Sequence, residues 1–144
     1  MLRVVLDTNI FISALFWKGT PGRIIEAIAA RKAHLVLSDE ILNELARKIS
    51  SRKFSVRLDR TGKTVQQVVG EFRQLAEITA PAIIPQNSVR DQKDQIILAC
   101  AVGGHVDCIV SGDKDLTELR VYVGIPIFSP AQFLAVLDSR PMQE

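Results

Sequence analysis

The stretch from Val4 to Asn9 constrains the fold more than any other part of the chain, because an uninterrupted apolar run ends abruptly in an acid, a hydroxyl and an amide. Apolar runs of this kind, rich in Val, are typical of parallel strands that are covered on both faces. Open parallel sheets bind ligands beyond the carboxyl ends of their strands, and Asp7 lies at such an end. Asp7 is therefore a candidate site residue, although one acid at this position is equally compatible with a turn or with the cap of the following helix.

Strand and helix patterns alternate after this first strand. Short apolar runs predict further strands at residues 35–37, 106–110 and 125–128. Helical patterns cover residues 10–17, 20–32, 38–49, 64–78, 91–102 and 129–137. This alternation predicts the α/β class, as a three-layer α/β/α sandwich around a central, mainly parallel sheet. No linker or internal repeat interrupts the pattern, so residues 1–144 are predicted to form a single domain.

Composition excludes several classes of protein. With 47% hydrophobic and 24% charged residues, the chain has enough apolar material for a core and is not expected to be disordered. No apolar run approaches the roughly 18 to 20 residues that span a bilayer, and the N-terminus lacks the layout of a signal peptide. We therefore expect a cytoplasmic protein without a membrane partner. Cys100 and Cys108 lie in apolar segments without metal-type spacing, which favours buried, reduced thiols.

The net charge of +2 is small, but the charges are unevenly distributed. Seven basic residues and one acid, Asp59, lie between Arg47 and Lys63. Such clustering is expected where a chain contacts nucleic acid, and it is equally compatible with a solvated helix end. Residues 50–63 also lack a clear helical period, so we predict that they form a mobile connection between two helices.

Four acids occur at positions where predicted strands and helices meet the same edge of the sheet. Asp7 and Asp113 directly follow strands, whereas Glu44 and Asp94 lie on helices. Crowded carboxylates repel one another unless a cation neutralises them, and Mg²⁺ or Mn²⁺ is the natural partner of an oxygen-only set. Metal ions held in this way promote the hydrolysis of phosphate esters, which is the predicted chemistry.

Some of these acids also have simpler interpretations. Glu44 lies on the flank of its helix, where an ordinary surface glutamate would also be found. Asp91 and Asp94 are three residues apart at a helix start, where the first can cap the helix and the second can complement its dipole. The apolar Ile97 and Leu98 follow Asp94 at helical spacing, so we expect Asp94 rather than Asp91 to face the cleft.

Together, these motifs resemble those of PIN-domain ribonucleases, in the branch that contains toxins of bacterial and archaeal toxin–antitoxin pairs. The resemblance covers nearly the whole chain and rests on segments in a fixed order, at residues 4–9, 38–45, 91–94, 109–116 and 125–133. Each segment alone is a weak indication, but their order and spacing together are specific. The resemblance implies an endoribonuclease that cleaves single-stranded RNA with Mg²⁺ or Mn²⁺.

The acids of the family can be carried over position by position. The four catalytic and metal-binding acids match Asp7, Glu44, Asp94 and Asp113, and a frequent fifth metal ligand matches Asp115. Around the third acid the chain departs from the branch, which often has more acids there, whereas Gln92 and Gln95 flank the pair in this sequence. This departure is the reason why the roles of Asp91 and Asp94 need to be distinguished.

The resemblance also implies supporting residues and partners. Asn9 and Ser111 match positions that hold the acidic ligands by hydrogen bonds, and Asp91 would support the third acid. The expected partners are an RNA substrate, a cognate antitoxin protein and a further copy of this chain, in a homodimer or higher oligomer. The RNA contacts are predicted in the basic run, at Arg47, Lys48, Arg52, Lys53 and Arg57.

Two alternatives remain open at this point. A haloacid-dehalogenase-like phosphatase also places an Asp after the first strand, but it needs a second Asp two residues later, where this chain has Asn9. The second alternative is a non-catalytic RNA-binding domain that keeps the fold, because fold alone does not determine function. The presence of all four acids argues against the second alternative, and a metal-dependence assay on RNA separates all three possibilities.

Overall fold

The computed structural model describes residues 1–140, which form one six-stranded sheet flanked by helices. The strands are β1 (Arg3–Leu6), β2 (His34–Leu37), β3 (Ala76–Ile78), β4 (Cys108–Val110), β5 (Val121–Tyr122) and β6 (Ile125–Phe128). The helices are α1 (Thr8–Phe16), α2 (Gly19–Ala29), α3 (Asp39–Ile49), α4 (Arg52–Thr61), α5 (Val65–Leu75), α6 (Gln92–Gly103), α7 (Lys114–Thr117) and α8 (Pro130–Ser139). The predicted α/β class and three-layer architecture are confirmed.

The strands follow the order β3-β2-β1-β4-β6-β5, which places β1 in the interior of the sheet. All neighbouring pairs are parallel except β5 and β6, so the sheet is mainly parallel, as predicted. Val4, Val5 and Leu6 are fully buried, as expected for an interior parallel strand. Apolar side chains on both faces of β1 therefore form the centre of the core.

The register of β1 and β4 determines which polar residues meet at the carboxyl edge of the sheet. Leu6 pairs with Val110, and the backbone N–H of Asp7 donates to the carbonyl oxygen of Val110 at 3.0 Å. The residues that follow these strands, Asp7 and Ser111, are consequently neighbours although more than a hundred positions separate them in the sequence. This is the edge at which open parallel sheets bind ligands.

Helix α6 brings a third polar segment to the same edge. It begins after Asp91, whose side chain accepts a hydrogen bond from the backbone N–H of Lys93. Ile97 and Leu98 are buried where α6 packs against β1 and β2. Asp94 lies one turn before these apolar residues and is therefore carried inward, as the helical spacing predicted.

The segment at residues 50–63 was predicted to be a mobile connection, and that prediction is wrong, because α4 occupies most of it. Leu58 is buried, and Phe54, one turn earlier, packs partly against the core, so two apolar residues suffice to dock a short basic helix. The helix ends at Gly62, whose φ of 74° is a left-handed conformation that favours glycine.

Two smaller differences concern the strands. The helix predicted for residues 64–78 ends at Leu75, because the chain extends there and pairs with β2 as β3. The short antiparallel strand β5 was not predicted, since two residues are too few to show an alternating pattern. Neither difference alters the edge of the sheet at which Asp7 lies.

Cys100 and Cys108 are both buried and unbridged, which confirms the prediction of reduced thiols. Burial raises the pKa of each thiol to about 12, so both remain protonated and unreactive at neutral pH. Among residues 1–140, no helix has the length and apolarity needed to cross a bilayer.

Candidate metal centre

Three carboxylates from distant parts of the sequence meet at the carboxyl edge of the sheet. Asp7 follows β1, Asp113 follows β4 at the start of α7, and Asp94 lies in the first turn of α6. One carboxylate oxygen from each lies within 4.8 Å of the other two. We refer to Asp7, Asp94 and Asp113 as the acid group.

Hydrogen bonds fix the position of the first member of this group. The hydroxyl of Ser111 donates to Oδ2 of Asp7 at 2.8 Å. On the other oxygen, Oδ1, Asp7 accepts weaker bonds from the hydroxyl of Thr8 at 3.3 Å and from the backbone N–H of Asn9 at 3.4 Å. Since Asp7 is 5% exposed, this carboxylate is held almost entirely by the protein.

Ser111 connects the carboxylate of Asp7 with the backbone of Asp113. Its Oγ donates to Asp7 and accepts from the backbone N–H of Asp113 at 2.9 Å. Asp113 in turn accepts, at Oδ1, the backbone N–H of Asp115 at 2.9 Å and so caps α7. One buried hydroxyl therefore links the carboxylate that follows β1 to the backbone that leads from β4 into α7.

Asp94 differs from the other two members because it has a buried oxygen without a partner. Oδ2 of Asp94 is buried and accepts no hydrogen bond from any described residue. Burial, followed by the charges of Asp113 and Asp7, raises the pKa of its carboxyl from 3.8 to about 7. An unpaired buried oxygen among crowded carboxylates costs stability unless something neutralises it.

These observations fit a bound divalent cation. All the donor atoms offered by the acid group are carboxylate oxygens, which hard ions such as Mg²⁺ and Mn²⁺ prefer. A cation would also supply the partner that Oδ2 of Asp94 lacks. The acid group is therefore a candidate metal centre for a divalent ion.

Lys48 on α3 is half-buried and contacts the two residues that follow Asp7. Its Nζ donates to the hydroxyl of Thr8 at 2.8 Å and to Oδ1 of Asn9 at 3.2 Å. Partial burial lowers the pKa of Lys48, while the charge of Asp7 opposes that shift. The side chain of Asn9 thus contacts Lys48, and Asn9 reaches Asp7 only through its backbone N–H.

Glu44 lies outside the acid group. Its two oxygens accept hydrogen bonds from Arg47, at 2.6 Å and 3.0 Å, and Lys93 is 3.9 Å away. The hydrogen bonds from Arg47 lower the pKa of Glu44, which stays ionised in this pair. Its predicted role as a ligand therefore stays a prediction, and it would require the side chain to leave Arg47.

Asp115 and Asp91 are also separate from the acid group. Asp115 is partly exposed and pairs with Arg90 at 3.2 Å. Asp91 is exposed and caps α6, one helical turn before Asp94. The structure thus brings together three of the five predicted ligands.

The basic residues predicted to contact RNA lie on two helices. Arg47 and Lys48 are on α3, and their contacts are described above. Arg52, Lys53 and Arg57 lie on α4 with exposed side chains, and we call these three the basic surface of α4. Because α4 was not predicted, the common location of these three residues was not foreseen.

Two residues of this region were missed by sequence reasoning alone. Thr8 is 3% exposed and links Lys48 to Asp7 through its hydroxyl. Its position directly after a strand-ending acid was the only indication in the sequence.

Trp17 is 53% exposed and lies under the guanidinium of Arg57, which is 4.6 Å from the ring centroid. No local pattern links residues 17 and 57, because their contact depends on how α1 and α4 pack.

Comparison with protein families gives a match over most of the chain. The model of the PIN domain matches residues 3–115. This range includes β1, α6 and β4, and therefore all three members of the acid group.

Individual proteins are also similar to this chain. The uncharacterized protein MJ1680 of Methanocaldococcus jannaschii is 33% identical over 120 residues, which cover 83% of this chain and 76% of that protein. Among solved structures, the crystal structure of VapBC2 from Rickettsia felis, bound to a DNA fragment from its promoter, contains a chain with a TM-score of 0.59 and 16% identity. That alignment covers 89% of this chain and 98% of the other, so the whole fold is shared.

Proposed function

The chain belongs to the PIN-domain family, and on that premise we propose that it is an endoribonuclease that cleaves single-stranded RNA with divalent cations. The observation that carries the proposal is the convergence of Asp7, Asp94 and Asp113, with the unpaired Oδ2 of Asp94 among them. Three crowded carboxylates repel one another in the absence of a cation. A metal-dependent hydrolase requires such a group, because the carboxylates bind its ion.

The residues present fit a Mg²⁺ or Mn²⁺ ion held by Asp7, Asp94 and Asp113. When bound, such an ion lowers the pKa of a water molecule and stabilises the charge that develops on a phosphodiester. Glu44 and Asp115 are further proposed ligands. To bind the ion, they would have to leave their ion pairs with Arg47 and Arg90, respectively.

The protein residues around the centre have separate tasks. Ser111 and Thr8 orient the carboxylate of Asp7 by hydrogen bonds, and supporting bonds of this kind tune the ligands of a metal centre. The ammonium group of Lys48 lies at the rim of the centre, where it can hold a phosphate oxygen of the substrate. Arg52, Lys53 and Arg57 then attract the RNA backbone along α4.

We further propose that this endoribonuclease is the toxin of a toxin–antitoxin pair and acts in the cytoplasm. The likeness of its fold to a chain of VapBC2, which is a complex, supports a protein partner. The proposed assembly contains the antitoxin and a homodimer or higher oligomer of this chain. Its RNA sequence preference would then determine the cellular effect.

The first experiment measures cleavage of a labelled single-stranded RNA with Mg²⁺, with Mn²⁺ and with a chelator. Cleavage that requires either ion, and that is lost in Asp113→Asn, supports the proposal. RNA binding without cleavage under any condition would favour the non-catalytic domain. Turnover of a small phosphomonoester, without turnover of RNA, would favour the phosphatase. Calorimetric titration with Mn²⁺ reports metal binding without depending on turnover.

The toxin proposal needs a separate test. Expression of the chain in a bacterial host should arrest growth, and the protein encoded by the neighbouring reading frame should relieve the arrest by forming a complex. An Asp94→Asn variant expressed at the same level is the matched control and should permit growth. Normal growth with the active nuclease would instead point to a housekeeping role.

A further inference from the structure

Three aromatic side chains meet where α1 ends and α4 begins. The rings of Phe16 and Phe54 are stacked, with centroids 5.5 Å apart and 12° between their planes. Trp17 makes edge contacts with both rings, at centroid distances of 5.8 Å and 6.4 Å. The two phenylalanines are half-buried and join the helices, whereas Trp17 is 53% exposed. Helix packing therefore explains the phenylalanines but gives no reason for an exposed indole.

Cations surround these rings. The guanidinium of Arg57 lies 4.6 Å from the centroid of Trp17, and Nζ of Lys53 lies 5.2 Å from that of Phe54. In the described part of the chain, no carboxylate forms an ion pair with either cation. A positively charged surface with an exposed aromatic ring is the combination that binds single-stranded nucleic acids, because bases stack on the ring while cations hold the backbone.

We propose that Trp17 and Arg57 form a stacking platform for one unpaired base of a single-stranded RNA. This inference rests on the proposed endoribonuclease function and adds a substrate contact outside the acid group. The indole offers a flat apolar surface to the base, and the guanidinium can hold the adjoining phosphate or stack on the same base. The platform would therefore position the strand rather than take part in the chemistry.

Helix α1 connects the platform to the acid group. It is capped by Asp7 at its start and is followed by Trp17 at its end, so the nine residues between them place the two sites roughly 14 Å apart along the helix. Lys48 contacts the first turn of α1, and Arg57 lies at the other end. An extended strand with one phosphodiester at the acid group would pass Lys48 and reach the platform a few nucleotides away, whereas a dinucleotide is too short to span both.

The charge of the surface favours RNA over a protein as its occupant. Residues 47–63 contain seven basic side chains and one acid, so the platform lies in a strongly positive part of the molecule. A single-stranded RNA provides both negative charge and flat apolar rings along its entire length. A protein partner would need acidic side chains opposite the cations and flat apolar side chains opposite Trp17, on one continuous surface.

The chain contains a single tryptophan, so its fluorescence reports on the platform alone. The wild-type chain is titrated with a single-stranded oligonucleotide of about a dozen nucleotides in a chelator, where metal-dependent cleavage cannot proceed. Stacking of a base on Trp17 should quench the emission in parallel with binding, which is measured independently by the anisotropy of a label on the RNA. A dinucleotide at the same concentrations should leave the emission unchanged, because it is too short to span the platform and the acid group and therefore binds more weakly.

Variants of the platform provide the matched comparison. Trp17→Ala should weaken binding of the long RNA by about 5- to 100-fold, whereas Trp17→Phe should retain most of the affinity. The salt dependence of binding should stay as in the wild type, because no cation is removed. Melting temperatures of both variants check that the contact with Phe54 is not needed for folding.

Each outcome supports the platform or overturns it. Quenching together with weaker binding by Trp17→Ala supports the platform even when Mg²⁺ brings no cleavage, in which case only the proposed function fails. Metal-dependent cleavage with unchanged emission and unchanged affinity of Trp17→Ala would overturn the platform and leave the function standing. Dissociation of an oligomer by Trp17→Ala, with normal RNA affinity, would also overturn it and assign the surface to a protein contact. Failure to bind RNA at all would remove both proposals.

Discussion

The acid group and the basic surface of α4 lie near opposite ends of α1 and are built in opposite ways. Asp7, Asp94 and Asp113 come from three distant segments and converge where Asp7 and Asp94 are buried, at 5% and 2% exposed, and Asp113 is partly buried. Arg52, Lys53 and Arg57 come from two turns of one helix and are exposed. One site concentrates like charges away from water, and the other spreads like charges in contact with it.

The difference in burial determines how strongly each site can act. Water screens the exposed cations, so each contributes a small and nearly independent amount to binding a polyanion. The carboxylates are poorly screened, so the charges of Asp113 and Asp7 add to burial in raising the pKa of Asp94, and the group as a whole favours a cation. Substitutions in the acid group should therefore have large, coupled effects, and those in the basic surface should have small effects that add.

The sharpest test of this contrast exchanges a carboxylate for an amide at each site. Asp94→Asn should lower metal-dependent RNA cleavage by about 1000-fold, because several kcal/mol of transition-state stabilisation depend on the bound ion. Asp59→Asn, which changes the exposed acid of α4, is the matched control and should alter cleavage by less than about twofold. Initial rates at saturating Mg²⁺ measure both. Comparable losses in the two variants would show that total charge, not location, controls the activity.

The second test concerns the free energy of unfolding of the metal-free protein. Burial and the neighbouring acids raise the pKa of Asp94 to about 7 from 3.8, so the folded state resists its ionisation. Between these two values the unfolded chain loses this proton first, and stability falls as the pH rises until the folded group also ionises. Relative to the wild type, Asp94→Asn should gain stability from about pH 4 to about pH 7, by at most about 4 kcal/mol.

Denaturant melts of both proteins in a chelator, across this pH range, measure that difference. The comparison between pH values isolates the charge, since the cost of burying the new amide does not depend on pH. Mg²⁺ should reverse the order at neutral pH, because a bound cation favours the ionised carboxylate and the variant lacks it. A stability difference that does not vary with pH would mean that burial and the neighbouring acids do not raise the pKa of Asp94.

The contrast between the two regions also explains what could be predicted from sequence. Asp7, Asp94 and Asp113 were identifiable because strand ends and helix starts of a parallel sheet must meet at one edge, whichever loops join them. The helical spacing from Asp94 to Ile97 and Leu98 also gave its inward direction correctly. Topology thus supplied the long-range information that local patterns lack.

Features that depend on side-chain packing could not be predicted in the same way. Glu44 was predicted as a ligand, yet it lies outside the acid group and pairs with Arg47, and spacing alone does not rank these partners. Helix α4 was missed because only Leu58 and Phe54 anchor it, too few residues to establish a period. The contact between Trp17 and Arg57 joins two helices whose packing angle no local pattern reveals.

A third test asks whether the cations of α4 contact the RNA backbone. Replacement of Arg52, Lys53 and Arg57 together by Gln should weaken binding of single-stranded RNA by about tenfold at moderate salt and reduce the slope of log K against log[salt] by about 2, which corresponds to three phosphate contacts. Gln at Arg31 and Lys32, which precede β2 at the opposite edge of the sheet, is the control and should leave the slope unchanged. Equal slopes in all three proteins would mean that α4 is only a solvated surface.

The smallest expected effect separates two acids that lie one helical turn apart. Asp91 is exposed and caps α6 by accepting the backbone N–H of Lys93 at 3.0 Å, whereas Asp94 belongs to the acid group. Asp91→Ala should therefore cost about 1 kcal/mol of stability and leave RNA cleavage within a few-fold of the wild type, because it removes a cap but no member of the acid group. Asp91→Asn should restore most of the stability, since an asparagine side chain caps helices as well as an aspartate.

Denaturant melts and cleavage assays of the two variants, measured beside Asp94→Asn, test this assignment. A large loss of cleavage in Asp91→Asn, with activity retained in Asp94→Asn, would move the third ligand of the centre one turn towards the start of α6.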